Sequence, residues 1–136
     1  MPEFTIETTY RVPNFRQRNH RAGTVEEACR RAVDNDDWSC EIPDFECAGE
    51  TFVTGIWKGY DAAYRGEAIP IPSQFEEGRQ RQIDHFSALL AVVEEAARPT
   101  GLSQPDFERW LPRALAAIEK AKANIEQRPD PSDPAR

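Results

Sequence analysis

From Phe4 to Val12 every second residue is apolar or β-prone (Phe4, Ile6, Thr8, Tyr10, Val12), and the positions between are polar (Thr5, Glu7, Thr9, Arg11). A period of two is that of a strand with one face turned to a core. Further along the period changes. Thr24 is followed three residues later by Glu27, the spacing at which hydroxyl and carboxylate cap each other's orphan backbone donors. Val25, Ala28, Cys29, Ala32 and Val33 then share one helical face. With two more strands expected before Trp57, residues 1–58 read as a β-α-β-β part: a small, mostly antiparallel three-stranded sheet with one packed helix.

Residues 59–78 form a Pro/Gly-marked connector in which Ile69, Pro70, Ile71 and Pro72 favour an extended course, because proline fixes φ and removes a donor. Helical spacing returns with Ile83, Phe86, Leu90, Val93 and Ala97, flanked by Leu89 and Ala96, and stops at Pro99. Gly101 allows a turn. Ser103 and Asp106 repeat the capping spacing, and Pro105 sits where a first turn tolerates it. Phe107, Trp110, Leu111, Ala114, Leu115, Ile118 and Ile125 continue an apolar face, with Pro112 expected to kink or restart the helix. So short a connection makes the helices of 79–127 an antiparallel hairpin whose apolar faces, Phe86 and Leu115 included, are expected in a core. The class is α+β, one domain over 1–127. The tail 128–136, with Pro129, Pro131 and Pro134, is expected to be disordered.

Charge changes this picture because it is local. Residues 1–33 hold six arginines against four glutamates, whereas 34–50 holds seven carboxylates (Asp34, Asp36, Asp37, Glu41, Asp44, Glu46, Glu50) and no base. From Arg79 on, nine basic residues balance nine acidic ones, as on solvated helix faces. Acid after a helix is unfavourable with the macrodipole by ~0.3–1 kcal/mol, so something other than helix stability is expected to maintain the band, which points to recognition. Taken as extended, residues 44–46 put Asp44 and Glu46 on one side about 6–7 Å apart, near the spacing of successive phosphates. The run Asp34-Asn35-Asp36-Asp37 does not fit a calcium loop, since Trp38, Ser39 and Phe45 stand where a ligand, a glycine and a glutamate are needed.

The basic loop Arg16, Arg18, Arg21 makes a secondary patch suited in principle to phosphates. In an acidic chain it is better read as pairing with the protein's own acidic band, and no direct nucleic-acid binding is expected. Trp57, Tyr60 and Tyr64, around Asp61 and Arg65, form either a core plug or the wall of a small-ligand pocket. Cys29, Cys40 and Cys47 match no zinc spacing; Cys29 is expected buried on the helix face, and Cys40 and Cys47 to be reduced thiols in a strand-like segment. No metal or cofactor is called for. Nucleophile elbows, phosphate-cradling glycine loops and paired histidine motifs are absent, leaving enzyme chemistry little to stand on. No apolar run approaches the ~20 residues needed to span a bilayer, and a cytoplasmic, membrane-free protein is expected.

The segments FTIETTYRVP and TVEEACRRAVDNDDW together resemble the DpnD/PcfM-like small proteins of plasmids and phages, which share an extended start, a T-x-E-E-A helix and an acidic turn. The resemblance covers about a third of the chain. It implies an accessory protein of a mobile element, without assigned activity and with no residue-level site to carry over. Three readings follow: an acidic interaction or inhibitor protein that occupies a basic surface of a larger, nucleic-acid-processing machine; a ligand-binding or enzymatic domain near Trp57; and a scaffold or homodimer using the hairpin.

Overall fold

The computed structural model describes residues 1–133. Its elements are β1 (Phe4–Thr9), β2 (Asn14–Phe15), α1 (Val25–Asp34), β3 (Ile42–Pro43), β4 (Phe52–Lys58), α2 (Gly78–Ala96) and α3 (Gln104–Ile125). Single 3-10 turns occupy Phe45–Cys47 and Ser73–Phe75. The class is α+β. The contacts form two compact units, Tyr10–Glu50 on one hand and Met1–Thr9 with the described chain from Thr51 onward on the other.

The expected three-stranded sheet is replaced by two two-stranded ones. β1 pairs antiparallel with β4, and β2 with β3. The change of partner accounts for the difference. β1 ends at Thr9, opposite Phe52, and beyond it the Arg11 and Pro13 carbonyls accept from the N–H groups of Gly49 and Asp44, so the chain to Val12 leaves the ladder with β4. Pro43 cannot donate to a ladder, which confines its strand to two residues. Helix α1 begins as read, with Thr24 Oγ accepting from the Glu27 N–H at 3.1 Å and Glu27 Oε2 from the Gly23 N–H at 3.2 Å. Its expected core face is divided. Ala28 and Ala32 are half-buried, but Val25, Cys29 and Val33 are exposed, the two valines at 80%.

The β1–β4 ribbon is inverted relative to its pattern. Phe4, Ile6 and Tyr10 are exposed, and Thr5, Glu7 and Thr9 are half-buried. The cause lies on the partner strand, where Trp57 sits opposite Thr5 and Gly55 opposite Glu7. The Trp57 indole folds along its own strand over Gly55 so closely that a Cβ there would stand 2.3 Å from its ring. Burying one indole removes more apolar surface than any residue of β1 could, and it fixes which face is inner. Thr5 completes that face by donating to the Gly59 carbonyl at 2.8 Å and accepting from the Ala62 N–H at 2.9 Å.

Helices α2 and α3 run antiparallel. Trp110 Nε1 donates to the Val92 carbonyl at 2.9 Å, Arg113 meets Glu95 at 2.9 Å, and His85 Nε2 reaches the Ala117 carbonyl at 2.8 Å. The buried residues of the face between them are small or polar, Ala114, Ala117 and Asn124 of α3 and Arg81 and His85 of α2, with Leu89, Val92 and Trp110 half-buried beside them; Ala123, half a turn round from Ala114, is buried on another face of α3. The expected core residues Phe86 and Leu115 are instead 65% and 53% exposed. Each stands one residue on from a buried position, His85 or Ala114, and so about 100° round its helix from the face that meets the partner helix. Pro105 and the Ser103 cap (3.3 Å to the Asp106 N–H) open α3 as read, and Gly101, at φ 69°, makes the turn before it. Pro112 does not break α3, which continues unbroken to Ile125.

Residues 128–133, read from their prolines as disordered, follow a defined path; 134–136 lie outside the described residues. The Arg128 N–H closes onto the Ala123 carbonyl at 2.8 Å, and buried Arg81 donates to the Arg128 carbonyl at 2.9 Å and to Asp130 at 3.1 Å. Ser73 Oγ accepts from the Asp130 N–H at 2.7 Å and donates to Asp133 at 2.5 Å. Proline content removes donors but leaves these side-chain anchors intact. Close contact also makes the inner faces intolerant of volume. Ala123→Leu and Gly55→Ala should each destabilise by about 1–3 kcal/mol in urea unfolding, the latter with a change in near-ultraviolet dichroism as Trp57 moves. A loss below ~0.5 kcal/mol in both would contradict the packing described.

Candidate functional site

The acidic band belongs to the unit Tyr10–Glu50, and its shape follows from one arginine. Arg16 follows β2 and donates to the carbonyls of Ala32 at 2.9 Å, Asn35 at 2.5 Å and Asp37 at 2.6 Å. Its guanidinium also lies 3.8 Å from the centre of the Trp38 ring. Carbonyls at the end of a helix have no partner within it, and that end carries partial negative charge. A planar fork of five donors supplies both hydrogen bonds and counter-charge there. This offsets the unfavourable acid at the end of α1.

Arg18 completes the brace, meeting Asp37 Oδ2 at 3.1 Å and the Asp37 carbonyl at 3.1 Å. Asn35 Oδ1 accepts from the Asp37 N–H at 2.9 Å, and Asp37 Oδ1 from the Ser39 N–H at 3.0 Å, so successive side chains turn the backbone. The Ser39 hydrogen bonds, side chain before backbone, and then the charge of Arg18 hold the Asp37 carboxyl below the usual aspartate value. Arg21 contributes through its carbonyl, which accepts from Arg31. Of the basic patch, Arg16 and Arg18 are thus brought to the acidic turn.

Downstream, the Asp44 N–H donates to the Pro13 carbonyl and the Gly49 N–H to the Arg11 carbonyl, both at 2.8 Å. The extended geometry expected of residues 44–46 is overturned. Asp44 caps the 3-10 turn Phe45–Cys47, its carboxylate accepting from the Cys47 N–H at 3.3 Å, and Glu46 lies within that turn. A short polar residue preceding a turn captures a free N–H before the chain can extend. Hydrogen bonding to Asp44, and then its charge, raise the Cys47 thiol. All three cysteines are free and exposed, Cys29 among them, because its face of α1 is uncovered.

The seven predicted acids therefore divide by role. Asp37 and Asp44 build the loop. Asp34, the last residue of α1, and Asp36, Glu41 and Glu46 are exposed, and among the described residues no partner is found for these four. Glu50 is exposed at the unit's end. Reading the sequence gave Arg16 a generic pairing role and missed that it organises the turn; the signal was the run of orphan carbonyls that any helix ending in Asp-Asn-Asp-Asp must leave.

The aromatic set divides as well. Trp57 is buried with Tyr64 tilted against it at 4.7 Å, whereas Tyr60 is exposed. Glu7 accepts from Thr54 Oγ and from the Tyr64 hydroxyl, both at 2.5 Å. These bonds lower the Glu7 carboxyl and raise the Tyr64 phenol. A phenol made harder to ionise and a carboxylate made harder to protonate are poor nucleophile and acid near neutrality. Within the helical hairpin a groove of about 200 Å³ lies among Gln82, His85, Phe86, Leu89, Ala121 and Ile125 beside Asn124. His85 is committed to the Ala117 carbonyl. No family model, curated protein or solved structure matches the chain. Among the described residues no helix is long and apolar enough to cross a membrane.

The brace has a pH signature. A carboxyl whose folded value is depressed contributes fully above its ordinary value and loses that contribution as pH falls through the folded one. For Asp37 the window lies below 3.8. Trp38 emission, taken as the difference from a Trp38→Phe variant, should stay constant from neutrality to that value and change only below it. Asp37→Asn should abolish the step, and a midpoint above 3.8 would contradict the arrangement.

Proposed function

We propose that this protein is a non-enzymatic interaction protein that presents the acidic loop 34–50 to a basic surface of a larger protein. One observation carries the reading. Four carboxylates without partners, Asp34, Asp36, Glu41 and Glu46, stand on a turn braced by Arg16, Arg18 and the Asp44 cap. A braced charged loop loses little conformational entropy on binding, and its field steers a basic partner at long range. The resemblance of the N-terminal segment to DpnD/PcfM-like proteins supports placing it among the accessory proteins of mobile elements, whose targets include nucleic-acid-processing machines.

The test neutralises the acids that do not build the loop. Asp34→Asn, Asp36→Asn, Glu41→Gln and Glu46→Gln in one chain should leave the fold intact, since exposed charges contribute only ~0–1 kcal/mol each. Against a partner captured on the wild-type protein and then purified, association at low salt should slow at least about tenfold and the salt dependence should flatten. Unchanged association by the neutralised chain would refute the reading.

A further inference from the structure

Helix α2 carries two rows at helical spacing, an inner one with Arg81 and His85 that is used within the hairpin and an outer, apolar one that is not. The outer row, Ile83, Phe86, Leu90 and Val93, has the three-four spacing of a coiled-coil seam, and each member is exposed. Helix α3 repeats the arrangement: Leu111, Leu115, Ile118 and Ile125 follow the same spacing, with Lys122 in the remaining seam position, and the four apolar side chains are exposed.

The two seams lie on one side. Each is displaced from its helix's inner row by roughly a third of a turn toward higher residue numbers, and in helices of opposite direction equal displacements point the same way. Phe86 of one seam and Ile125 of the other indeed line a single groove. From their fractional exposures these eight residues leave on the order of 800 Å² uncovered, the area each partner contributes to a standard stable interface.

We propose that this face is covered by the same face of a second copy, the two hairpins forming a four-helix bundle. Three features favour a second copy over another protein. The complement to paired seams of coiled-coil spacing is another hairpin with the same ridge spacing. A two-fold interface must be self-complementary, and an acidic protein meets itself without repulsion only through a surface with little charge. Over 83–93 and 111–125 the seams hold a single charge, Lys122, which lies 3.8 Å from Glu119 of its own helix; the next seam positions outward hold one charge of each sign, Arg79 and Glu108. One polar residue at a seam position is a device that sets register and oligomeric state.

Sedimentation equilibrium and light scattering decide the matter. At about 100 µM, well above the micromolar dissociation typical of a moderate interface, the pure protein should have twice the 15.5 kDa chain mass. Phe86→Glu and Leu115→Glu, each at a site exposed in the single chain, should weaken dimerisation at least about thirtyfold with helical dichroism retained. Val25→Glu and the neutralised acidic-loop chain should dimerise as the wild type does, which separates this proposal from the acidic-loop reading. Hydrogen exchange of the wild-type protein guards against variants that fail to fold: raising the concentration from about 1 to 100 µM should slow exchange in 83–93 and 111–125. A monomer at every concentration, as expected if a different protein covers the face, overturns the proposal. So do a dimer that survives both glutamates and concentration-dependent protection confined to other segments.

Discussion

The close approach of α2 and α3 through alanine is the constraint from which the rest of the hairpin follows. Ala114 and Ala117 are buried on the face of α3 turned to α2. Three polar groups then complete the inner row: His85 bonds across to the Ala117 carbonyl, Asn124 Nδ2 to the Arg81 carbonyl at 3.4 Å, and Arg81 to the residues beyond α3. Buried polar groups are costly unless bonded, so these contacts fix the register of one helix on the other. Phe86 and Leu115, one residue on from His85 and Ala114 and so about 100° round their helices, stand outside. An outer apolar face is thus a consequence of the inner one.

A different economy governs the unit Tyr10–Glu50, where no side chain of α1 is fully buried. Backbone carbonyls that a helix leaves unbonded are collected by one guanidinium, and the ring of Trp38 covers it. Charge holds this unit where apolar volume does not. That arrangement explains how a loop rich in carboxylates can be fixed in shape yet keep Asp34, Asp36, Glu41 and Glu46 available.

Local rules in the sequence translated faithfully into structure. The Thr24 and Ser103 caps, the Pro105 start and the Gly101 turn depend only on neighbours a few residues apart, and each is found as read. What failed, in β1 and for Phe86 and Leu115 of the hairpin, was the inference about which face is inner. In β1 the alternation is real, but a single indole four dozen residues away outweighs it. In α2 both rows have helical spacing, and the row with Arg81 and His85 was passed over because it is polar. Periodicity states that a face exists, while its cover is decided by residues far along the chain. For the acidic loop the residues were legible and the geometry was not, since Asp44 as a cap and Asp44 as an extended ligand look alike until the turn is seen.

Taken together, the hairpin is stable through its inner row and incomplete at its outer one. The most direct measurement is the melting temperature of the helical dichroism as a function of protein concentration. If the outer face is buried by a second copy, folding and association are linked, and the midpoint should rise by several degrees between about 1 and 100 µM. A midpoint independent of concentration across that range would contradict the account.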